Sequence, residues 1–353
     1  MGELTKKKRL GYIDIAKGYA MILVMIGHCL DFAHVYLFLW LYTFHMPLFF
    51  SLSGFTFNAN RYDSFKTFTK KKFISLMVPY YCLATLLAIS MVIYGLVTTG
   101  DLNINLFLKR ELYILIANRN HTQYFTMWFL PALFFSELLF YWVDKACKNK
   151  VHFLCLAFVG FAIVGSILIK YVQGFYYSLD MVPIATSFLI MGKLIKMLVD
   201  KIDSKVEEKN INKKASYAIL MLTTLALNIL FLKLNYNVLG RSISLFNARI
   251  GNPFLFYFGA IFGTLAAIFG CILIEKCKPL EYIGKNTLVY YAFQNTLVIP
   301  IFVKLMYKLI DLVPFLKAWP LSLTITMVLS ALVLAAMSEL VNRYLPFVLG
   351  RKK

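Results

Sequence analysis

An all-α, polytopic membrane helix bundle is the fold class this sequence predicts, and three observations predict it. Of the 353 residues, 60% are hydrophobic. Only 15% are charged, and the mean hydropathy is +0.70. The apolar residues gather into runs of about 20, the length a helix needs to cross a ~30 Å hydrocarbon core. A soluble globular chain of this length does not carry that profile.

Ten runs qualify as spans: Gly11 to Leu30, Tyr36 to Phe57, Phe73 to Val97, Tyr124 to Val143, Val151 to Tyr171, Leu179 to Val199, Ala215 to Lys233, Phe254 to Ile274, Thr287 to Ile310 and Trp319 to Val341. The first follows Lys6, Lys7, Lys8 and Arg9, as a signal peptide would. Asp14 and Lys17 interrupt its apolar core, however, and no small-residue cleavage site follows, so it reads as an uncleaved span. The second contains Pro47, which cannot donate a backbone hydrogen bond and leaves a carbonyl of the preceding turn free. The third starts behind Lys70, Lys71 and Lys72. The fourth carries Glu137, suited to pairing with a neighbouring helix. Asp180, Pro183 and Lys193 shorten the sixth. The tenth ends with Glu339 and Arg343, four residues apart and most simply an intrahelical pair.

The cations give the orientation. Most of the 37 Lys and Arg fall in alternate loops: Lys6 to Arg9, Arg61 to Lys72, Lys145 to Lys150, Lys193 to Lys214, Lys276 to Lys285, and Arg343 with Arg351 to Lys353. By the positive-inside rule these loops and both termini are cytoplasmic. The net charge of +20 is thereby explained without nucleic acid, for which no motif is present. Two outer loops, Thr98 to Gln123 and Leu234 to Pro253, exceed a tight turn and suit acceptor selection. The inner stretch Asp200 to Lys214 reads as a solvated, mixed-charge connector. A single domain over residues 1–353 is expected, without repeats or low-complexity tracts. The six cysteines have no CxxC or Cys/His metal spacing, so neither a disulfide framework nor a metal site is expected.

Ionisable groups inside spans are costly and mark function. From Lys17 to His28 is eleven residues, about three turns plus 20° and ~16 Å of rise, so both lie on one helical face. Asp14 falls within about 40° of the same stripe. The arrangement suits a donor with an anionic head and a long thin arm, the shape of an acyl-CoA ester. Lys17, with Lys70, Lys71 and Lys72, would hold phosphates as point charges, and His28 would accept a proton from an attacking hydroxyl. A bland reading stands beside this one. A Lys near a helix end snorkels to headgroups, Asp14 pairs with it, and a single outer His is interfacial. In the second span His45, with Ser51, Ser53 and Gly54 behind it, would face the same cavity as His28.

The stretches Ile13 to His28 (IDIAKGYAMILVMIGH) and Phe44 to Phe55 (FHMPLFFSLSGF) resemble the acyltransferase-3 family of integral membrane O-acyltransferases, and within it the fucose 4-O-acetylase-like branch. The first is similar to the family's basic-x10-His signature. Similarity continues through Lys70 to Tyr81, Met127 to Leu139, Arg249 to Gly263, Tyr282 to Tyr291 and Leu345 to Gly350. The resemblance implies a ten-span fold that moves an acyl group, usually acetyl from acetyl-CoA, to a hydroxyl of an extracytoplasmic or polyprenyl-linked carbohydrate. The enzyme would be a multi-pass protein of the cell membrane, with no permanently bound cofactor. His28 takes the position of the essential histidine and Lys17 that of its basic partner. Two departures stand out. The family's R-x2-R before the third span's proline aligns with Lys72 and Ser75, and Gln294 stands where many relatives have His. Gln294 can hydrogen-bond but cannot titrate.

Three outer residues are expected at the acceptor. Trp128 is either an interfacial anchor or a platform for a sugar ring, and Arg249 and Asn252 either contact acceptor or form a helix-entry turn with Gly251 and Pro253. The competing reading is a transporter or flippase using intramembrane His and Asp as a proton relay. Its expected mark, an inverted repeat with matching broken helices, is not found.

Overall fold

The computed structural model describes residues 11–29, 31–100, 103–117, 127–172 and 174–351. Lys6 to Arg9, Leu30, residues 124–126 of the fourth expected span, and Lys352 and Lys353 lie outside them. The described residues are helical almost throughout. In chain order they form α1 (Gly11–Gly27), α2 (Val35–Leu41), α3 (His45–Thr56), α4 (Phe65–Lys72), α5 (Val78–Thr99), α6 (Ile104–Ile116), α7 (Phe129–Cys147), α8 (Val151–Tyr171), α9 (Val182–Glu208) and α10 (Lys213–Leu239). Then follow α11 (Pro253–Ile274), α12 (Lys278–Lys285), α13 (Thr287–Phe293), α14 (Ile299–Leu312) and α15 (Trp319–Tyr344).

Among the described residues eight helical segments are long and apolar enough to cross a membrane, three of them joining successive elements: α2 with α3 (Val35–Thr56), α4 with α5 (Phe65–Thr99) and α13 with α14 (Thr287–Leu312). The two remaining expected spans are the helices α1 and α7. The first is 17 residues long as described, and the second carries Glu137, Asp144 and Lys145. The result is an all-α polytopic bundle.

Several expectations are corrected. The second span, Val35–Thr56, is long and apolar enough as expected but is not one unbroken helix: a turn at Tyr42–Phe44 separates α2 from α3, and Pro47, which has no N–H, fits the first turn of α3. The outer stretch from Thr98 contains α6, which packs on α5 through Tyr80 Oη donating to Ile114 O (2.6 Å) and Thr85 Oγ1 donating to Glu111 (3.0 Å). The expected connector from Asp200 to Lys214 is mostly helix: α9 runs to Glu208 and α10 begins at Lys213. Glu339 does not pair with Arg343. It accepts a 2.6 Å hydrogen bond from Tyr282 Oη on α12, while Arg343 stacks over Tyr344 at 5.5 Å. Burial, and then that carboxylate, hold the Tyr282 phenol above its ordinary pKa.

Two short π-helical turns, Phe73–Met77 and Gln294–Val298, each precede a proline, Pro79 and Pro300 respectively. Pro removes the donor that the regular ladder needs, and the turn widens to compensate. Both π turns border the cavities described below.

Close approach fixes two helix crossings. A side chain at Gly18 of α1 would meet the Leu280 carbonyl of α12, and one at Gly284 would meet the Asp14 carbonyl. The α3–α9 crossing is just as tight. Side chains at Gly54 and Gly192 would meet the Leu189 and Ser51 carbonyls, and Ser51 Oγ hydrogen-bonds Pro47 O (2.7 Å) and Phe188 O (3.1 Å). Small residues that let backbones touch are the usual basis of helix association in lipid.

The lysine-rich loops collect at one end. Asp144 of α7 accepts from the Ala59 N–H (2.9 Å) and pairs with Lys193 of α9, Asp203 joins α9 to Tyr217 of α10 (2.9 Å), and Lys214 reaches Glu275 (3.1 Å). The opposite end is joined by aromatic contacts, His34 with Trp319 and Phe32 with Tyr307.

Candidate active site

Two cavities lie end to end along α1. The one nearer the lysine-rich end holds about 310 Å³ and is lined by Lys17, Lys72, Glu137 and Ser53 among apolar residues that include Met21, Leu52, Leu130 and Leu133. The other holds about 360 Å³ and is lined by His28, His45, Trp128, Arg249 and Gln294, together with Ser242 and residues 244–247. Val24, Met46 and Tyr291 line both. The stripe read from the sequence therefore survives as Lys17, Met21, Val24 and His28, spaced by four, three and four residues. Its cationic end opens into one cavity and its imidazole end into the other.

In the first cavity, Lys72 Nζ lies 2.9 Å from each carboxylate oxygen of Glu137, and Ser53 Oγ donates to Glu137 at 2.6 Å. Glu137 is 1% exposed. The anchor matters because a lone carboxylate at mid-helix would carry its full desolvation cost. Glu137 therefore keeps the Lys72 ammonium inside the bundle. Lys70 and Lys71 are exposed and outside this lining, so of the expected lysine cluster only Lys72 joins Lys17. Asp14 is buried and lines neither cavity.

In the second cavity the helix break prepares His45. Its Nδ1 is 2.8 Å from the Leu41 carbonyl, which also accepts from Phe44 N–H (3.3 Å) in the turn where α2 ends. A carbonyl only accepts, so Nδ1 carries the proton and Nε2 of the neutral ring carries the lone pair. Tyr42 packs on the ring edge-to-face at 4.7 Å. His28 sits just past the end of α1, its ring free of hydrogen bonds to described residues. The two histidines thus share one chamber, as adjacent antiparallel helices allow.

Trp128 is buried in this lining and faces Phe246 at 5.9 Å. Arg249 lies in the lining also. Asn252 does not: its side chain caps α11 by accepting from Leu255 N–H (3.3 Å), and its own N–H bonds Asn235 (2.9 Å). The helix-entry reading holds for it.

Sequence reasoning overlooked Tyr291, which spans the junction and accepts a 3.2 Å hydrogen bond from Phe129 N–H. It also missed Ser53 as the support of Glu137. The Tyr282 to Tyr291 motif was the available signal for Tyr291. Nothing in the sequence distinguishes its face from that of Tyr290, which bonds Ala331 O instead (2.9 Å).

A family model described as an acyltransferase domain matches residues 10–338. The chain belongs to the acyltransferase-3 family. It is thus an acyl-transferring enzyme of a membrane family, and both cavities fall within the matched residues. No curated protein and no solved structure matches it. Among the described residues there is no cluster of His, Cys, Asp or Glu able to hold a metal ion, and all six cysteines are free.

Proposed function

We propose that this acyltransferase moves an acyl group, most simply acetyl, from a cytoplasmic acyl-CoA to a hydroxyl of a cell-surface or polyprenyl-linked carbohydrate. The observation that carries the reading is the meeting of the two cavities at Val24, Met46 and Tyr291. Lysines belong to one and imidazoles to the other. Lys17 and Lys72 attract the phosphates of the donor as point charges. The apolar wall of Met21, Leu52, Leu130 and Leu133 accepts a thin arm, and the ~16 Å rise from Lys17 to His28 is the length it has to cover.

At the junction the thioester carbonyl meets an acceptor hydroxyl held in the second chamber. His28 takes the hydroxyl proton as the oxygen attacks the carbonyl carbon. The carbon–sulfur bond then breaks and the thiolate leaves towards the first cavity, to be protonated there. His45, its ring oriented by the Leu41 carbonyl, presents Nε2 to the same chamber and holds the acceptor hydroxyl or shares the proton. Trp128 supplies a flat apolar face suited to a sugar ring.

The test is genetic and chemical. A strain lacking the protein is expected to lose an acyl mass from a surface glycan, and wild-type protein to restore it. His28→Ala at normal abundance is expected not to. Full restoration by His28→Ala would remove the catalytic assignment, and transport of an unmodified glycan without loss of any acyl mass would favour the flippase reading.

A further inference from the structure

The outer chamber contains an uncompensated cation. Among the described residues of its lining Arg249 carries the formal charge, and no Asp or Glu stands opposite it. Arg249 is half-buried, and among the described residues its inaccessible Nε has no hydrogen-bond partner and the guanidinium no ion pair. Nor is the guanidinium there by looseness of the chain. Two backbone hydrogen bonds, Ser244 N to Arg249 O (2.7 Å) and Arg249 N to Ser244 O (2.9 Å), close the turn that carries it. Asn247 Nδ2 bonds Ser244 Oγ (3.0 Å), and Asn235 Nδ2 ties the next residue, Ile250, to α10 (2.9 Å).

A second unmet group lines the same space. Gln294 is 1% exposed and lines the chamber, and its Oε1 has no hydrogen-bond partner among the described residues. A buried amide oxygen left unpaired costs free energy, and so does a half-buried guanidinium with no anion. Two such groups around one cavity describe the missing ligand.

We propose that the outer chamber selects an acceptor bearing a fixed oxyanion, a carboxylate or a phosphate, which Arg249 binds, and that Gln294 accepts a hydrogen bond from a hydroxyl of the same molecule. The planar guanidinium fits either oxyanion with two parallel hydrogen bonds. An anion held at Arg249 fixes which hydroxyl of the sugar is presented to His28 and His45, so the cation sets regiochemistry as well as affinity. This inference rests on the reading of the outer chamber as the acceptor site.

The experiment uses the full chain purified in a nonionic detergent free of phospholipid, with thermal stabilisation as the readout. The probes are methyl glucoside, glucuronate and glucose 1-phosphate. Glucuronate, glucose 1-phosphate or both are expected to stabilise the protein where methyl glucoside at equal concentration does not; which of them acts identifies the oxyanion. Arg249→Gln is expected to weaken that response about tenfold or more, and Arg249→Lys, which keeps the charge without the fork, to weaken it less. Gln294→Glu, which sets a like charge beside the bound anion, is expected to weaken it as well. Equal responses to neutral and charged probes, including none, would overturn the proposal. So would an unchanged response in Arg249→Gln, or stabilisation by short-chain phosphatidylglycerol with no sugar effect. Coenzyme A protection measured on the same proteins separates the two readings. Its absence alongside intact anion protection counts against the donor cavity, whereas its presence with no anion preference overturns this inference alone.

Discussion

His45 shows how one imino acid shapes the histidine-lined chamber. Pro47 sits in the first turn of α3, α2 ends at Leu41, and the Leu41 carbonyl in the turn between them takes the Nδ1 proton of His45 beside the Phe44 N–H. The imidazole is then held with its basic nitrogen away from that bond. His28 has no comparable restraint, which suits a group that must both receive and release a proton. His28→Ala is expected to lower acyl transfer by about 10²- to 10⁴-fold, the usual contribution of a positioned base, with donor KM little changed. His45→Gln keeps a polar side chain but loses the basic nitrogen, and steady-state kinetics should show kcat falling more than donor KM rises. At this scale the phase of Lys17 and His28 was legible, since it depends only on helical geometry. The fate of Asn252 and Asp14 was not. Whether an Asn at a helix entry caps the helix or faces a ligand is decided by neighbours distant in sequence, here Asn235.

Among elements, the decisive contacts are interhelical. Lys72 ends α4 just before the π turn, and Glu137 on α7 draws its ammonium into the lysine-lined cavity. Glu137→Ala strands the lysine, and the expected cost is about 3–5 kcal/mol of stability, measured by melting in detergent. Glu137→Gln retains a partner for Ser53 but loses the charge, and is expected to raise the donor KM about tenfold through misplacement of Lys72 while leaving kcat nearer to wild type. The α3–α9 crossing offers a purely structural comparison. Gly192→Leu would drive a side chain into the Ser51 backbone, so a loss of about 1–3 kcal/mol or more is expected without a specific change in donor KM. The sequence foretold a partner for Glu137 without naming it, and foretold the wrong partner for Glu339. An i,i+4 spacing gives Arg343 the chance to pair, but Tyr282 on the packed α12 reaches the carboxylate first. Break points were likewise half-visible. Pro47 marked the second span as unusual, yet the separate helices α2 and α3 emerge only once each has its own packing surface.

Across the whole molecule, hydropathy revealed the bundle, and charge gives the polarity expected of it. The lysine-rich loops do gather at one end, where α1 begins and α3, α7 and α9 end. Hydropathy could not reveal the two cavities, because a cavity belongs to no single helix. It is the space left where α1, α3, α7 and α13 cannot close on one another. Cytoplasmic placement of the lysine-rich end predicts that cysteines introduced at Lys201 and at Asn247 react with an impermeant maleimide from opposite sides of sealed vesicles. Labelling of both from one side would contradict the topology.

The central claim is that acyl groups pass from the lysine-lined cavity to the histidine-lined chamber through the junction at Val24, Met46 and Tyr291. It is tested most directly by plugging that junction. Proteoliposomes carrying Met46→Trp, with Val24→Phe as a second variant, are supplied with labelled acetyl-CoA on the lysine-rich side and the glycan acceptor on the other. The expected result is retained protection by coenzyme A with labelled acetyl transfer reduced about a hundredfold or more. Transfer at the wild-type rate through a plugged junction, or labelling that requires the donor on the histidine side, would contradict it.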